Sequence, residues 1–372
     1  MKQWINSIKI MIIRKILKLA FLISVFSAPV LKAQIIHYKV EGTIEGYDGM
    51  QVKMSDYGNN HQIIDTATVF NGKFYMEGDY SRHALVRFDI YPEYANCILD
   101  SLIIPDFQTH LPKPYSELNT KYYNYRNNLN NYNEKLMNYV LELQADSTLT
   151  EDDMKERFFL FKDNIYPDLK YFIDILTENA NGLGEDALWF QISDFELTPT
   201  EWDEIFTVVP YDIKKLPYTI FLNSQYQAKK KALPGSIFID LEGKNITGDT
   251  IRLSDFIGKG KYVLVDFWAS WCSPCLAEGK ETLIPLYDRY ADNPLFEIVG
   301  IATCDSFDNS IECIEQQGYK WPQILDAGMT PMELYGFNGI PMIMLFDPEG
   351  IILERDIRGQ EIENAIKKYL SE

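Results

Sequence analysis

From Ile35 to about Ile104 apolar and polar residues alternate, as in Tyr38-Lys39-Val40-Glu41 and Gln51-Val52-Lys53-Met54, with turn residues at short intervals. Alternation of this kind predicts half-buried strands. Thr66 to Phe70 and Lys73 to Glu77 flank Asn71-Gly72, a dipeptide that accepts the positive φ angles of a tight hairpin turn. Residues 34–110 are therefore expected to form a small antiparallel β domain. Between about Tyr115 and Lys231 the period becomes helical. Met154, Phe158, Phe161 and Ile165 fall at i, i+4, i+7 and i+11 behind the capping pair Thr150 and Asp153, and Leu136, Val140 and Leu143 make a second stripe. This defines a helical middle region over residues 111–232. Its tyrosines, Tyr122, Tyr123, Tyr125, Tyr132 and Tyr139, fit either a packing core or a stacking surface for a ligand.

Beyond Pro234-Gly235 the two periods interleave. Strand Tyr262 to Trp268, a helix from Cys272 to about Tyr290, strand Phe296 to Ala302 and helix Ser306 to Gln317 follow one another. Strand Met342 to Phe346, the turn Asp347-Pro348-Glu349-Gly350, strand Ile351 to Ile357 and helix Ile362 to Leu370 complete the run. Strands separated by crossover helices predict a central sheet covered on both faces, here within residues 233–372.

At 372 residues the chain is long enough for two or three domains. Residues 1–33 read as a secretory signal peptide: Lys2, Lys9, Arg14, Lys15 and Lys18 precede the apolar stretch Leu19 to Phe26, and Ala33 ends the segment before Gln34. Met11 is an alternative start. No cysteine follows the apolar stretch, which argues against a lipid anchor. The expected location is the periplasm. The alternative is an uncleaved segment anchored in the inner membrane, although the apolar run is shorter than the ~20 residues a span needs. Loss of residues 1–33 removes six basic and no acidic residues and takes the formal net charge from −19 to −25. Such a surface repels phosphate backbones, so nucleic acid is excluded as a partner.

The chemistry is concentrated in Trp271-Cys272-Ser273-Pro274-Cys275, at a strand-to-helix junction. A thiolate at Cys272 faces a helix N-terminus, where unpaired N–H groups and the macrodipole stabilise negative charge. A drop from about 8.5 by about 1.5 units is worth roughly 2 kcal/mol and raises the thiolate fraction at neutral pH from about 3% to about half. Pro274 lies in the first turn, where its missing N–H costs little, and Cys275 lies one turn on. Cys272 is thus expected to be the exposed attacking thiol and Cys275 the shielded resolving one. A zinc site would need further ligands, and His37, His61, His83 and His110 all lie far upstream. A structural disulfide is also poorly served, because so tight a loop removes little chain entropy.

Val265-Asp266-Phe267-Trp268-Ala269-Ser270-Trp271-Cys272-Ser273-Pro274-Cys275 resembles the active-site strand and helix start of the thioredoxin superfamily. Residues 234 to 372 are similar to the TlpA/ResA-like thiol-disulfide oxidoreductases, and Gly339-Ile340-Pro341 resembles their cis-proline loop. The resemblance implies an α/β thioredoxin-like C-terminal domain. The span from Cys272 to Pro341 leaves room for one β-α unit beyond a minimal thioredoxin. The N-terminal β domain resembles a domain of unknown function found ahead of such modules in exported Bacteroidetes proteins.

The resemblance also implies roles. Asp266 matches the buried aspartate that accepts the resolving thiol's proton, and Glu278, three residues after Cys275, matches the active-site glutamate of the ResA-like branch. Trp271, Pro274, Ile340 and Pro341 are the positions expected to meet substrate. The implied activity is reduction of protein disulfides, with a membrane thiol electron donor and no cofactor or metal beyond the Cys272–Cys275 dithiol. An oxidase or isomerase carries the same motif, and an envelope binding module with an accessory redox domain is a further alternative. A peroxidase of the peroxiredoxin type lacks support, since its Pro-x-x-x-Thr-x-x-Cys setting does not occur here.

Three departures stand out. Gly279-Lys280 occupies the place of an apolar residue and a kink-forming proline, leaving any bend of the active-site helix to Gly279. Met342 replaces the usual threonine after the proline and is expected to alter the groove wall. Cys304 and Cys313 appear where the family has no thiol; Cys304 is expected to be a buried small residue, with a third redox thiol as the alternative. Cys97 has no evident partner.

Overall fold

The structure is a computed structural model that describes residues 35–146, 148–149, 157, 174–192, 199–290 and 292–370. The expected signal segment and the stripe Met154, Phe158, Phe161 and Ile165, with its caps Thr150 and Asp153, lie outside the described residues. The chain divides into two units, Met1–Leu222 and Asn223–Glu372.

In the first unit the alternating segments form β1 (Ile36–Thr43), β2 (Gln51–Asp56), β3 (Gln62–Thr68), β4 (Lys73–Tyr80), β5 (Leu85–Ile90) and β6 (Glu93–Ile98). Three two-residue strands, β7 (Leu102–Ile103), β8 (Pro105–Asp106) and β9 (Leu111–Pro112), follow. Asn71 and Gly72 both take positive φ, 50° and 67°, as the hairpin signal requires. Beyond the Phe70–Lys73 bridge, however, the strands part. β3 joins the sheet β3-β2-β5-β6 and β4 joins β4-β1-β7, both packed on a core that includes Val40, Val52, Met54, Phe74 and Phe88.

The helix α1 (Glu117–Ala145) starts at Ser116, whose side chain accepts the Asn119 N–H. Buried Asn119 in turn bonds both the N–H and the carbonyl of Ile98, at 2.8 Å each, clamping the helix to β6. Tyr122 and Tyr125 are fully buried, so this part of the tyrosine stripe is core rather than a stacking surface. The short helix α2 (Gly182–Asp186) buries two consecutive carboxylates. Glu185 accepts from Arg82 and, at 3.1 Å, from the Leu85 N–H, while Arg82 also reaches Asp56 at 2.6 Å. Asp186 accepts from Tyr122 at 3.0 Å and from Arg126 at 3.2 Å. Helices α3 (Pro199–Val208), α4 (Tyr211–Lys214) and α5 (Pro217–Lys231) follow, the last ending in Lys229-Lys230-Lys231 where cations complement the macrodipole.

In the second unit, which begins within α5 at Asn223, the first strands are the hairpin β10 (Glu242–Lys244) and β11 (Thr250–Arg252). Its main sheet has the order β14-β13-β12-β15-β16, built from β12 (Tyr262–Trp268), β13 (Phe296–Ala302), β14 (Gln323–Ile324), β15 (Met342–Phe346) and β16 (Ile352–Arg355). β13 and β15 flank β12, parallel and antiparallel respectively. β12 is apolar on both faces: Leu264 and Trp268 enter one core cluster, Val263, Val265 and Phe267 the other. The helices are α6 (Ser273–Glu278), α7 (Ile284–Tyr290), α8 (Phe307–Gln317), α9 (Thr330–Tyr335) and α10 (Gln360–Leu370). β14 and α9 form the additional β-α unit between α8 and β15.

Arg82→Ala removes the cation shared by buried Asp56 and Glu185 and leaves both carboxylates without it. The expected loss is about 3–5 kcal/mol of unfolding free energy. Urea denaturation of the variant checks this, and a loss under about 1 kcal/mol would place the pair in the class of exposed ion pairs.

Candidate active site

β12 ends at Trp268, and Ala269 to Trp271 turn the chain so that Cys272, with φ −90° and ψ 92°, becomes the N-cap of α6. Its Sγ accepts the Cys275 N–H at 3.3 Å, and Pro274 occupies the first turn. Cys272 and Cys275 form a disulfide with an S–S distance of 2.06 Å and Cα atoms 5.3 Å apart. Both belong to the core cluster of Leu264 and Trp268. The expectation that Cys272 is exposed needs correction for this oxidised state: it is only 4% exposed, against 1% for Cys275. The loop before β15 accounts for this, because the Ile340 carbonyl lies 3.6 Å from the Cys272 Sγ and the Ile340 side chain packs on the same cluster. The Ile340–Pro341 bond is cis.

Glu278 ends α6, and the helix then widens. The Ile284 N–H reaches back to the Gly279 carbonyl, making a π turn over Gly279–Leu283 before α7 begins. Kinks arise at such bulges as well as at proline. A Cβ on Gly279 would lie 2.2 Å from the Tyr319 hydroxyl, so the absence of a side chain admits that ring against the active-site helix. Tyr319 also meets Trp268 edge to face at 5.5 Å, and the Trp268 Nε1–H donates to Gln323 at 3.0 Å.

By strand alternation Asp266 shares the face of Leu264 and Trp268, the face on which both cysteines sit. It is 3% exposed, and its Oδ1 has no hydrogen-bond partner among the described residues. Burial pushes its carboxyl up to about 7; the Arg358 charge opposes that rise and the Glu278 charge adds to it. Glu278 is half-buried and its Oε1 accepts the Gly359 N–H at 2.9 Å. Arg358 escaped the sequence reading. It lies on a turn far along the chain from the cysteines, and no local spacing links it to them.

The remaining thiols and Met342 differ from expectation or complete it. Trp271 is 62% exposed and its Nε1–H donates to the Cys304 carbonyl at 3.0 Å. Cys304 itself is exposed rather than buried: its φ of 55° sets it at a turn after β13, with Sγ 3.5 Å from the Met332 Sδ. Cys313 and Cys97 are the buried ones, and burial raises both thiols. Met342 does not wall the groove, because it pairs with Phe267 and packs in the cluster on the opposite face of the sheet. Among the described residues no group of three or more His, Cys, Asp or Glu side chains could hold a metal.

A five-stranded sheet, a vicinal cysteine pair capping the helix that follows its central strand, and a cis-proline loop against those sulfurs define a thiol-disulfide oxidoreductase of the thioredoxin superfamily. The AhpC/TSA family model matches residues 234–355. The thiol-disulfide oxidoreductase ResA of Bacillus thuringiensis subsp. konkukian is 31% identical over 141 residues, covering 38% of this chain and 75% of that protein. ResA of Bacillus subtilis is 28% identical over 156 residues, covering 42% and 84%. The thioredoxin domain of a thiol-disulfide oxidoreductase from Bacteroides vulgatus is 33% identical, covers 37% of this chain and 97% of that one, and superposes with a TM-score of 0.34. The chain belongs to the TlpA/ResA-like thiol-disulfide oxidoreductases.

A buried carboxyl held near 7 makes stability depend on pH. Between about pH 4 and pH 7 the unfolded chain releases the Asp266 proton while the folded state retains it. Stability from this group is therefore complete below about pH 4, declines to about pH 7 and is level above it, by roughly 4 kcal/mol at most. Asp266→Asn is expected to unfold at higher denaturant than the parent at pH 8 and to lose that advantage at pH 4. Chemical denaturation at both pH values checks the difference, and an equal offset at each would contradict it.

Proposed function

We propose that this protein is an exported reductase of protein disulfides in which Cys272 attacks and Cys275 resolves. One observation carries the assignment: Cys272 Sγ sits at the helix start beside the Ile340 carbonyl, while Cys275 lies one turn deeper. In the dithiol form the Cys272 thiolate attacks one sulfur of a substrate disulfide. A mixed disulfide forms and the first substrate thiolate leaves. Cys275 then gives its proton to Asp266, and its thiolate attacks the Cys272 sulfur. The internal disulfide closes, the second substrate thiolate departs, and two electrons have moved to the substrate.

Asp266 suits the proton step because its carboxyl, near 7, can hold or release a proton at ambient pH. Glu278 is the second carboxylate of the site, fixed at the end of α6 by the Gly359 N–H. Trp271, Pro274, Ile340 and Pro341 border the sulfurs and are assigned to substrate contact. A membrane thiol donor returns the pair to the dithiol state. Export rests on the basic flank and apolar core of residues 1–33, with Gln34 as the first mature residue in the periplasm. No helix among the described residues is long and apolar enough to cross a membrane.

A Cys275→Ser variant expressed in cells is expected to accumulate mixed disulfides with partner proteins, and Cys272→Ser few. Mass spectrometry should find the adducts on Cys272 and in the periplasmic fraction, with Gln34 at the N-terminus. Equal trapping by both variants, or adducts on Cys304, would reverse the sulfur assignment. Direction is read from the reduction potential: a value near thioredoxin's, about −270 mV, fits a reductase, and one near about −120 mV makes the protein an oxidant.

A further inference from the structure

Two neighbouring residues on the turn between β16 and α10 reach the two pieces of chain that carry the site. The Gly359 N–H holds Glu278 at the end of α6. The Arg358 guanidinium donates to the carbonyl of Pro341, in the loop whose preceding carbonyl lies against the Cys272 Sγ. The same guanidinium donates to the Ile357 carbonyl at 2.8 Å and meets Asp356 at 2.9 Å. Its orientation is thus fixed from several sides, a task that a planar fork performs and a single ammonium does not. Asp356 itself is held at the strand end by its N–H to the Ile343 carbonyl, at 2.9 Å.

The Arg358 side chain is two-thirds buried, and its backbone N–H donates to exposed Glu361 at 3.2 Å, so the turn that carries the guanidinium is held as well.

We propose that Arg358 is a positioning residue for disulfide exchange, fixing the cis-proline loop by its fork. The proposal rests on that loop being where substrate lies, so the fork governs how well substrate is held and leaves the exchange step at the sulfurs to Cys272 and Cys275.

Single-turnover oxidation of the reduced protein by insulin, followed against insulin concentration, tests the fork. Arg358→Gln and Arg358→Lys both remove the fork, and each is expected to raise the half-saturating insulin concentration about tenfold with little change in the maximal rate. If the maximal rate falls and the half-saturating concentration does not move, Arg358 is merely structural and the proposal fails alone. If insulin does not oxidise the unaltered reduced protein, the reductase reading fails and the proposal falls with it. Should Arg358→Gln not fold, Arg358→Lys decides: weakened saturation at an unchanged maximal rate supports the proposal, and unchanged saturation overturns it.

Discussion

Because β12 runs through the centre of a sheet packed on both faces, every side chain it carries past Tyr262 is withdrawn from water, and the one ionisable group among them, Asp266, is withdrawn as well. Desolvating a carboxylate is expensive, and the expense appears as a carboxyl held near 7. The same strand fixes where the sulfurs stand. It ends at Trp268, and four residues later Cys272 caps the helix on the face that Asp266 shares. Placing a buried carboxyl on the face that carries the cysteine pair is therefore a consequence of strand alternation and a short turn.

The helix that carries the cysteines is interrupted where it meets its neighbours. Gly279 lets the Tyr319 hydroxyl approach, and the π turn from Gly279 to Leu283 lengthens one helical ring before regular pitch resumes at Ile284. Proline would produce a bend by removing a hydrogen bond; here the bond is kept and displaced by one residue. A site can thus depart from its family's usual residue and retain a break in the helix at the same place.

In the N-terminal unit the problem of buried charge is solved by pairing. Glu185 and Asp186 are consecutive and point to different cations, Arg82 and Arg126, with Tyr122 and the Leu85 N–H supplying further donors. Such pairing ties α2 to β2, to the segment before β5 and to α1, so the helices and strands of this unit share one polar seam as well as an apolar core.

Much of this was legible in the sequence, because local rules decide it. The alternation of β1, the Asn71-Gly72 turn, the apolar run of β12 and the Cys-Ser-Pro-Cys helix start depend on φ preferences, side-chain period and N-terminal capping, all properties of neighbouring residues. The reducible cysteine pair and the buried aspartate belong to the same class. Other features arise only when distant segments meet. The strands joined by Asn71-Gly72 enter different sheets, a choice made by the partners β2 and β1 rather than by the turn. Cys304 faces solvent and Met342 the opposite core because strand ends and register, not residue type, set exposure. Arg358 and Gly359 reach the proline loop and Glu278 from the far end of the domain. The sequence by itself determined the elements, the sulfur pair and the class of chemistry; the tertiary structure alone decided which charges surround Asp266 and what closes over Cys272, because electrostatic and packing environments are sums over residues that the chain order keeps apart.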